Sequence, residues 1–150
     1  MKLSTRSRYG ARLMLDLALH YGEGPISLKD IARRQQISLL YLRHLITPLT
    51  AAGIVKSERG TQGGVWLARA PKDVKLNEIV RLLEGSTDLV DCIENPGSCD
   101  HVAACATRDL WIDMSMAMTG VLETTSLQDL AERQQSKTKK DTAGMAMYHI

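Results

Sequence analysis

The chain has 150 residues, 44% apolar and 24% charged, which fits one packed soluble domain and excludes an α/β barrel and most two-domain enzymes. With no Phe and only 4% aromatics, the core falls to Leu, Ile, Val, Met and Ala, which favours helices over a β sandwich. The net charge of +2 hides an asymmetry: residues 1–70 carry 11 Lys/Arg against 4 Asp/Glu, residues 71–150 carry 8 against 13, and the first half therefore suits a polyanion.

A helical pattern runs from about Thr5 to His20, with Leu13, Leu15, Leu17 and Leu19 apolar and Arg6, Arg8 and Arg12 forming a basic face. Gly22, Gly24 and Pro25 break it. Ser27 caps a short second helix that ends near Gln35, with Asp30 in its first turn. Almost at once Ser38 caps a third helix through Leu39, Leu40, Tyr41, Leu42, Leu45, Ile46 and Leu49. Pro48 predicts a kink or an early end, and Gly53 a stop. Residues 54–59 and 65–69 are β-prone and flank a Gly-rich tip, which predicts a hairpin. A helix is expected from Leu76 to Glu84, then an irregular stretch over 85–101.

From Val102 to about Thr124 the chain has no Pro and one Gly, and apolar residues recur at helical spacings. This is expected to be the longest helix. Ser126 caps a short last helix, Leu127 to Arg133, and Lys137, Lys139 and Lys140 open a tail expected to be mobile.

Helix, tight turn, capped helix and Gly-tipped hairpin form the order of a winged helix-turn-helix. The fold class is therefore mainly α with a small β-hairpin: a winged helix-turn-helix domain plus a long C-terminal helix. A recognition helix must free its first turns for the major groove while its other face packs behind. Leu42, Leu45 and Ile46 suit the packing face, and Ser38, Leu40, Tyr41, Arg43 and His44 lie around the exposed turns. Arg43 can pair bidentately with guanine, and Arg59, beside Gly60 at the hairpin tip, can enter a narrow minor groove. Tyr9 and Trp66 are read as packing residues.

Cys92, Cys99 and Cys105 are spaced C-x6-C-x5-C, an odd number of cysteines in one short stretch, the first two in a loop and Cys105 near the start of the long helix. That argues against a secreted disulfide framework and for a metal or reactive cluster. Three thiolates within 14 residues suit an iron–sulfur cluster or zinc. The fourth ligand is open among His101, Asp91, Glu94, Asp100, Asp109 and a group from a partner chain, with His101 preferred on chemistry.

At this point the sequence resembles the Rrf-type family of bacterial winged-helix regulators, the IscR, NsrR and RirA group, over about residues 1–133. The resemblance rests on the opening Met1-Lys2-Leu3-Ser4 with Arg8-Tyr9, on Ile37-Ser38-Leu39 with Tyr41-Leu42, and on Val55 through Arg59-Gly60 to Gly63-Gly64 and Leu67. It extends to the three Cys followed by Leu110-Trp111, and is nearest to the IscR-like members. It implies a homodimer joined by the long helix through Leu110, Trp111, Met114, Met118, Val121 and Leu122. It implies an iron–sulfur cluster on the three Cys, 2Fe–2S ahead of 4Fe–4S. It puts Ser38, Leu40, Tyr41 and Arg43 toward the major groove, and Arg59 with Gly60 toward the minor groove. Two departures stand out. IscR-type proteins carry a His three residues after the last Cys, where this chain has Arg108, and an acidic residue where it has Arg43.

The expected organisation is a DNA-binding domain over 1–84, a cluster loop over 85–101, dimerisation and terminal helices over 102–133, and the tail over 134–150. The expected function is a cluster-dependent transcription regulator, a repressor, that binds operator DNA as a homodimer and senses iron–sulfur status, redox state or nitric oxide. It is not expected to be an enzyme. No apolar run approaches the roughly 20 residues of a membrane span, and the first residues lack a secretory stretch, so a cytoplasmic location is expected. The rival reading is a thiol-redox or zinc-structured winged-helix DNA binder without a cluster.

Overall fold

A computed structural model of the chain describes residues 3–146. In order, the elements are α1 (Thr5–Leu19), α2 (Leu28–Gln35), α3 (Leu39–Ala51), β1 (Val55–Glu58), β2 (Gly64–Leu67), α4 (Leu76–Glu84), α5 (Asp91–Glu94), α6 (Ala106–Thr124) and α7 (Leu127–Ala146). Short 3-10 turns fill Pro71–Asp73, Pro96–Ser98 and Val102–Ala104.

The caps follow the sequence. Ser4 accepts from the Ser7 N–H, Ser27 from Lys29 and Ser38 from Tyr41, so each helix of the first half starts on a serine hydroxyl. α3 ends in a Schellman turn. The Ile54 N–H reaches the Leu49 carbonyl at 3.1 Å, the Gly53 N–H reaches Thr50 at 3.0 Å, and Gly53 takes φ +71°. Pro48 does not end the helix early; α3 runs on to Ala51. So close to the C-terminus, proline removes only the bond to the His44 carbonyl, which leaves the turn intact.

β1 and β2 pair antiparallel, with Val55 opposite Leu67 and Glu58 opposite Gly64. Ile26 adds a bridge to Val65, which ties the hairpin to the turn before α2. A Cβ on Gly64 would stand 2.4 Å from the Ile26 carbonyl oxygen, so that bridge needs glycine there. One core takes Leu13, Met14 and Leu17 from α1, Ile31 from α2, Leu42, Leu45 and Leu49 from α3, Val55 and Leu67 from the hairpin and Ile79 from α4. Gly10 lets α1 and α4 close together, since a Cβ there would meet Leu83 at 2.1 Å.

Four expectations change in the second half. The 85–101 stretch is not wholly irregular but holds α5 and a 3-10 turn. α6 starts at Ala106, with Cys105 as its N-cap, because the 3-10 turn at Val102–Ala104 precedes it. At 19 residues it is one shorter than α7, which continues to Ala146 instead of ending at Arg133. Residues 134–143 contain no Gly or Pro, so polarity alone does not stop the helix. α7 starts on a capping box: Ser126 and Asp129 exchange backbone-to-side-chain hydrogen bonds at 2.7 and 3.2 Å. Leu127 and Ala131 return to the core, so the C-terminal helix is anchored on the first domain. Among the described residues no helix is long and apolar enough to cross a membrane.

Candidate nucleic-acid interface and cysteine loop

α3 presents one face to the core and the other to solvent. Leu42, Leu45, Ile46 and Leu49 are buried, while Ser38, Leu40, Arg43, His44 and Thr47 are exposed. Tyr41 is half-buried, its ring packed edge-on against Tyr9 with centroids 5.9 Å apart. Its ring therefore belongs partly to the packing of α1 on α3. Arg59 and Gly60 are exposed at the hairpin tip, where Gly60 takes φ +129°. Side chains rarely adopt that conformation, and a Cβ on Gly63 would collide with the Glu58 carbonyl at 2.3 Å. The glycines thus shape a tip that leaves Arg59 in solvent.

A lock beneath this surface was not read from the sequence. Asp16, buried on α1, accepts Arg34 Nε at 3.1 Å and Nη2 at 2.6 Å, and Gln35 Nε2 at 2.8 Å. The hydrogen bond to Asp16 raises the Arg34 pKa. Gln35 also receives Arg12, whose Nε donates to its side chain at 3.2 Å and whose Nη2 donates to its backbone carbonyl. The next residue, Gln36, turns the chain at φ +53° into Ile37 and Ser38. Arg12, exposed on the basic face of α1, also braces this turn and lies 5.6 Å from the Tyr9 ring. The available signal was Asp16 itself, a lone acid inside an apolar run.

The cysteines are placed differently. Cys92 is half-buried in α5, Cys99 and His101 are exposed, and Cys105 is half-buried at the start of α6. All three thiols are free. Cys105 Sγ lies 3.1 Å from Thr107 Oγ1, and hydrogen bonds from Thr107 and the Arg108 backbone lower its pKa. Arg108 Nε donates to the Cys92 carbonyl at 3.0 Å, bracing α5 against α6. Among the described residues, no three His, Cys, Asp or Glu side chains converge as a metal-binding group. The donor chemistry still fits a cluster at three positions, because free thiols are the ligands such groups take. Arg108 cannot supply a fourth.

α6 buries only Ser115. Leu110, Met114 and Val121 are exposed at 52%, 36% and 65%, and Met116 at 67%. Trp111, Met118 and Leu122 are half-buried. With Val80 of α4 and Leu89 and Val90, several of these residues line an apolar groove of about 710 Å³. The helix therefore carries apolar surface that the described residues do not cover.

Residues 3–133 match the family described as "Rrf2: Iron-dependent Transcriptional regulator". Protein rrf2 of Nitratidesulfovibrio vulgaris is 45% identical over 130 residues, 87% of this chain and 87% of that protein. The structure of CymR (YrzC), the global cysteine regulator of B. subtilis, superposes with a TM-score of 0.76 at 41% identity, over 89% of this chain and 98% of that one. The structure of T. potens IscR gives 0.74 at 41% identity, over 89% and 88%.

Proposed function

The chain belongs to the Rrf2 family of transcriptional regulators, and from that premise we propose that it is a cytoplasmic, homodimeric repressor controlled by an iron–sulfur cluster on Cys92, Cys99 and Cys105. Members of this family are transcriptional regulators, not enzymes. The observation that carries the cluster reading is the loop itself. It holds three free thiols, the last at the N-terminus of α6, and α6 is the helix with uncovered apolar surface.

When bound, the cluster supplies a group whose integrity depends on iron, oxygen and nitric oxide. The chain's residues do the rest. The lowered pKa of Cys105 favours the thiolate, the form that ligates metal. Arg108 holds the Cys92 backbone against α6, so the state of the loop bears on that helix. α6 of one protomer packs on that of the other, which sets the distance between two α3 helices. Two half-sites on DNA are read only when that distance matches the helical repeat, about 34–36 Å. Ser38, Leu40, Tyr41 and Arg43 face the major groove, and Arg59 with Gly60 the minor groove. His101 is the candidate fourth ligand, and 2Fe–2S the preferred cluster.

A second reading has its own support. Among the described residues the free thiols do not gather with other donors into a group of three, and one similar protein is a cysteine regulator. In that reading the same fold responds through thiol chemistry or zinc. Anaerobic purification with an absorption spectrum and counts of iron and acid-labile sulfide separates the two. Matched iron and sulfide, lost in Cys92→Ala, Cys99→Ala and Cys105→Ala, is the expected result, and the stoichiometry distinguishes 2Fe–2S from 4Fe–4S. A colourless protein that also resists anaerobic reconstitution overturns the cluster.

A further inference from the structure

The exposed face of α3 is Leu40, Arg43, His44 and Thr47, at i, i+3, i+4 and i+7. Such positions are neighbours on one helix surface, with Cβ atoms about 5–6 Å apart. No Asp or Glu occurs anywhere in α3. Among the described residues, no side chain engages the Arg43 guanidinium or the His44 imidazole. Thr47 is occupied, its hydroxyl donating to the Arg43 carbonyl at 2.9 Å.

Leu40 is the unusual member. It is 66% exposed in the first turn of the helix, while the leucines around the next turns are at most 1% exposed. A single exposed leucine carries little meaning by itself. Its position gives it meaning. It stands one helical turn ahead of a free guanidinium, at the end of the helix that meets base edges in this architecture. The major groove offers one apolar group, the thymine C5-methyl, and an aliphatic side chain is its natural partner.

We propose that Leu40 is a specificity-determining residue that reads a thymine methyl next to the guanine read by Arg43. The inference rests on the DNA-binding reading above and deepens it. Stacked bases are about 3.4 Å apart along a strand. A spacing of about 5–6 Å between the two side chains then places the thymine within two base pairs of the guanine.

The test starts from duplexes selected from a random pool by the full-length protein. Each thymine of the selected half-site is replaced in turn by deoxyuridine, which deletes only the methyl. Loss of one buried methyl weakens binding about fourfold. The expected result is such a loss at one thymine, within two base pairs of a guanine, in the wild type. Leu40→Ala, an exposed substitution, is expected to bind the dT and dU duplexes equally. Wild-type affinity unchanged by every replacement, or equal methyl sensitivity in Leu40→Ala, overturns the inference alone. Failure to select any sequence overturns the DNA-binding reading with it.

Discussion

Asp16 shows how one residue sets the geometry of the turn between α2 and α3. It lies in the apolar run from Leu13 to Leu19 and is 2% exposed. An uncompensated charge there is costly, and the Arg34 fork with the Gln35 amide supplies three hydrogen bonds. These bonds fix α2 on α1, and Gln36 then turns directly into α3. Arg34→Ala leaves the carboxylate buried with Gln35 as its remaining α2 partner. The expected loss is about 2–3 kcal/mol, read as a lower midpoint in chemical denaturation with an unchanged slope. At this scale the sequence disclosed short-range devices best. Ser27, Ser38 and Gly53 act within a few residues of themselves. The Asp16–Arg34 pair spans 18 positions, and nothing local says which arginine answers a buried acid. For the same reason the basic face of α1 was legible, but not that its Arg12 also binds Gln35.

Among elements, the junction of α1 and α4 has a proton-dependent clasp. Glu84, the last residue of α4, accepts the Ser4 N–H at 2.7 Å, and that bond holds its pKa below the usual carboxylate value. A carboxyl with a lower pKa folded than unfolded stabilises the fold fully above the unfolded value, about 4.3. That contribution disappears as pH falls through the folded value. Glu84→Gln is therefore expected to be less stable than wild type at neutral pH and to approach it below about pH 4. Thermal unfolding across that range checks this, and a constant difference would remove Glu84 from the acid response. The elements of the winged domain were legible because each has a cap, a period or a glycine stop. α7 was not. Its residues beyond Arg133 are polar and exposed as far as Thr142, so the apolar period that marks a packed helix is missing although the backbone stays helical.

For the whole molecule, the distinctive feature is α6, whose apolar side chains are little covered by the described residues. The homodimer reading predicts that Val121→Glu, at a 65% exposed position, leaves the protomer folded. It should convert a dimer to a monomer in sedimentation. An unchanged dimer would move the interface elsewhere. Of the candidate sites, the exposed face of α3 was readable because it follows from the packing face of the same helix. The cysteine loop was readable only as composition. Spacing discloses three thiols in 14 residues but not their separation in space, nor that Arg108 reaches back to Cys92.

In the proposed function the state of the cysteine loop governs DNA binding. The most direct measurement is a salt-matched titration of one selected duplex with cluster-loaded protein and with the same protein after cluster removal. The two affinities are expected to differ by about tenfold or more, within the usual range of coupling between sites. Equal affinities for the two forms, with the cluster verified by iron and sulfide content, would contradict it.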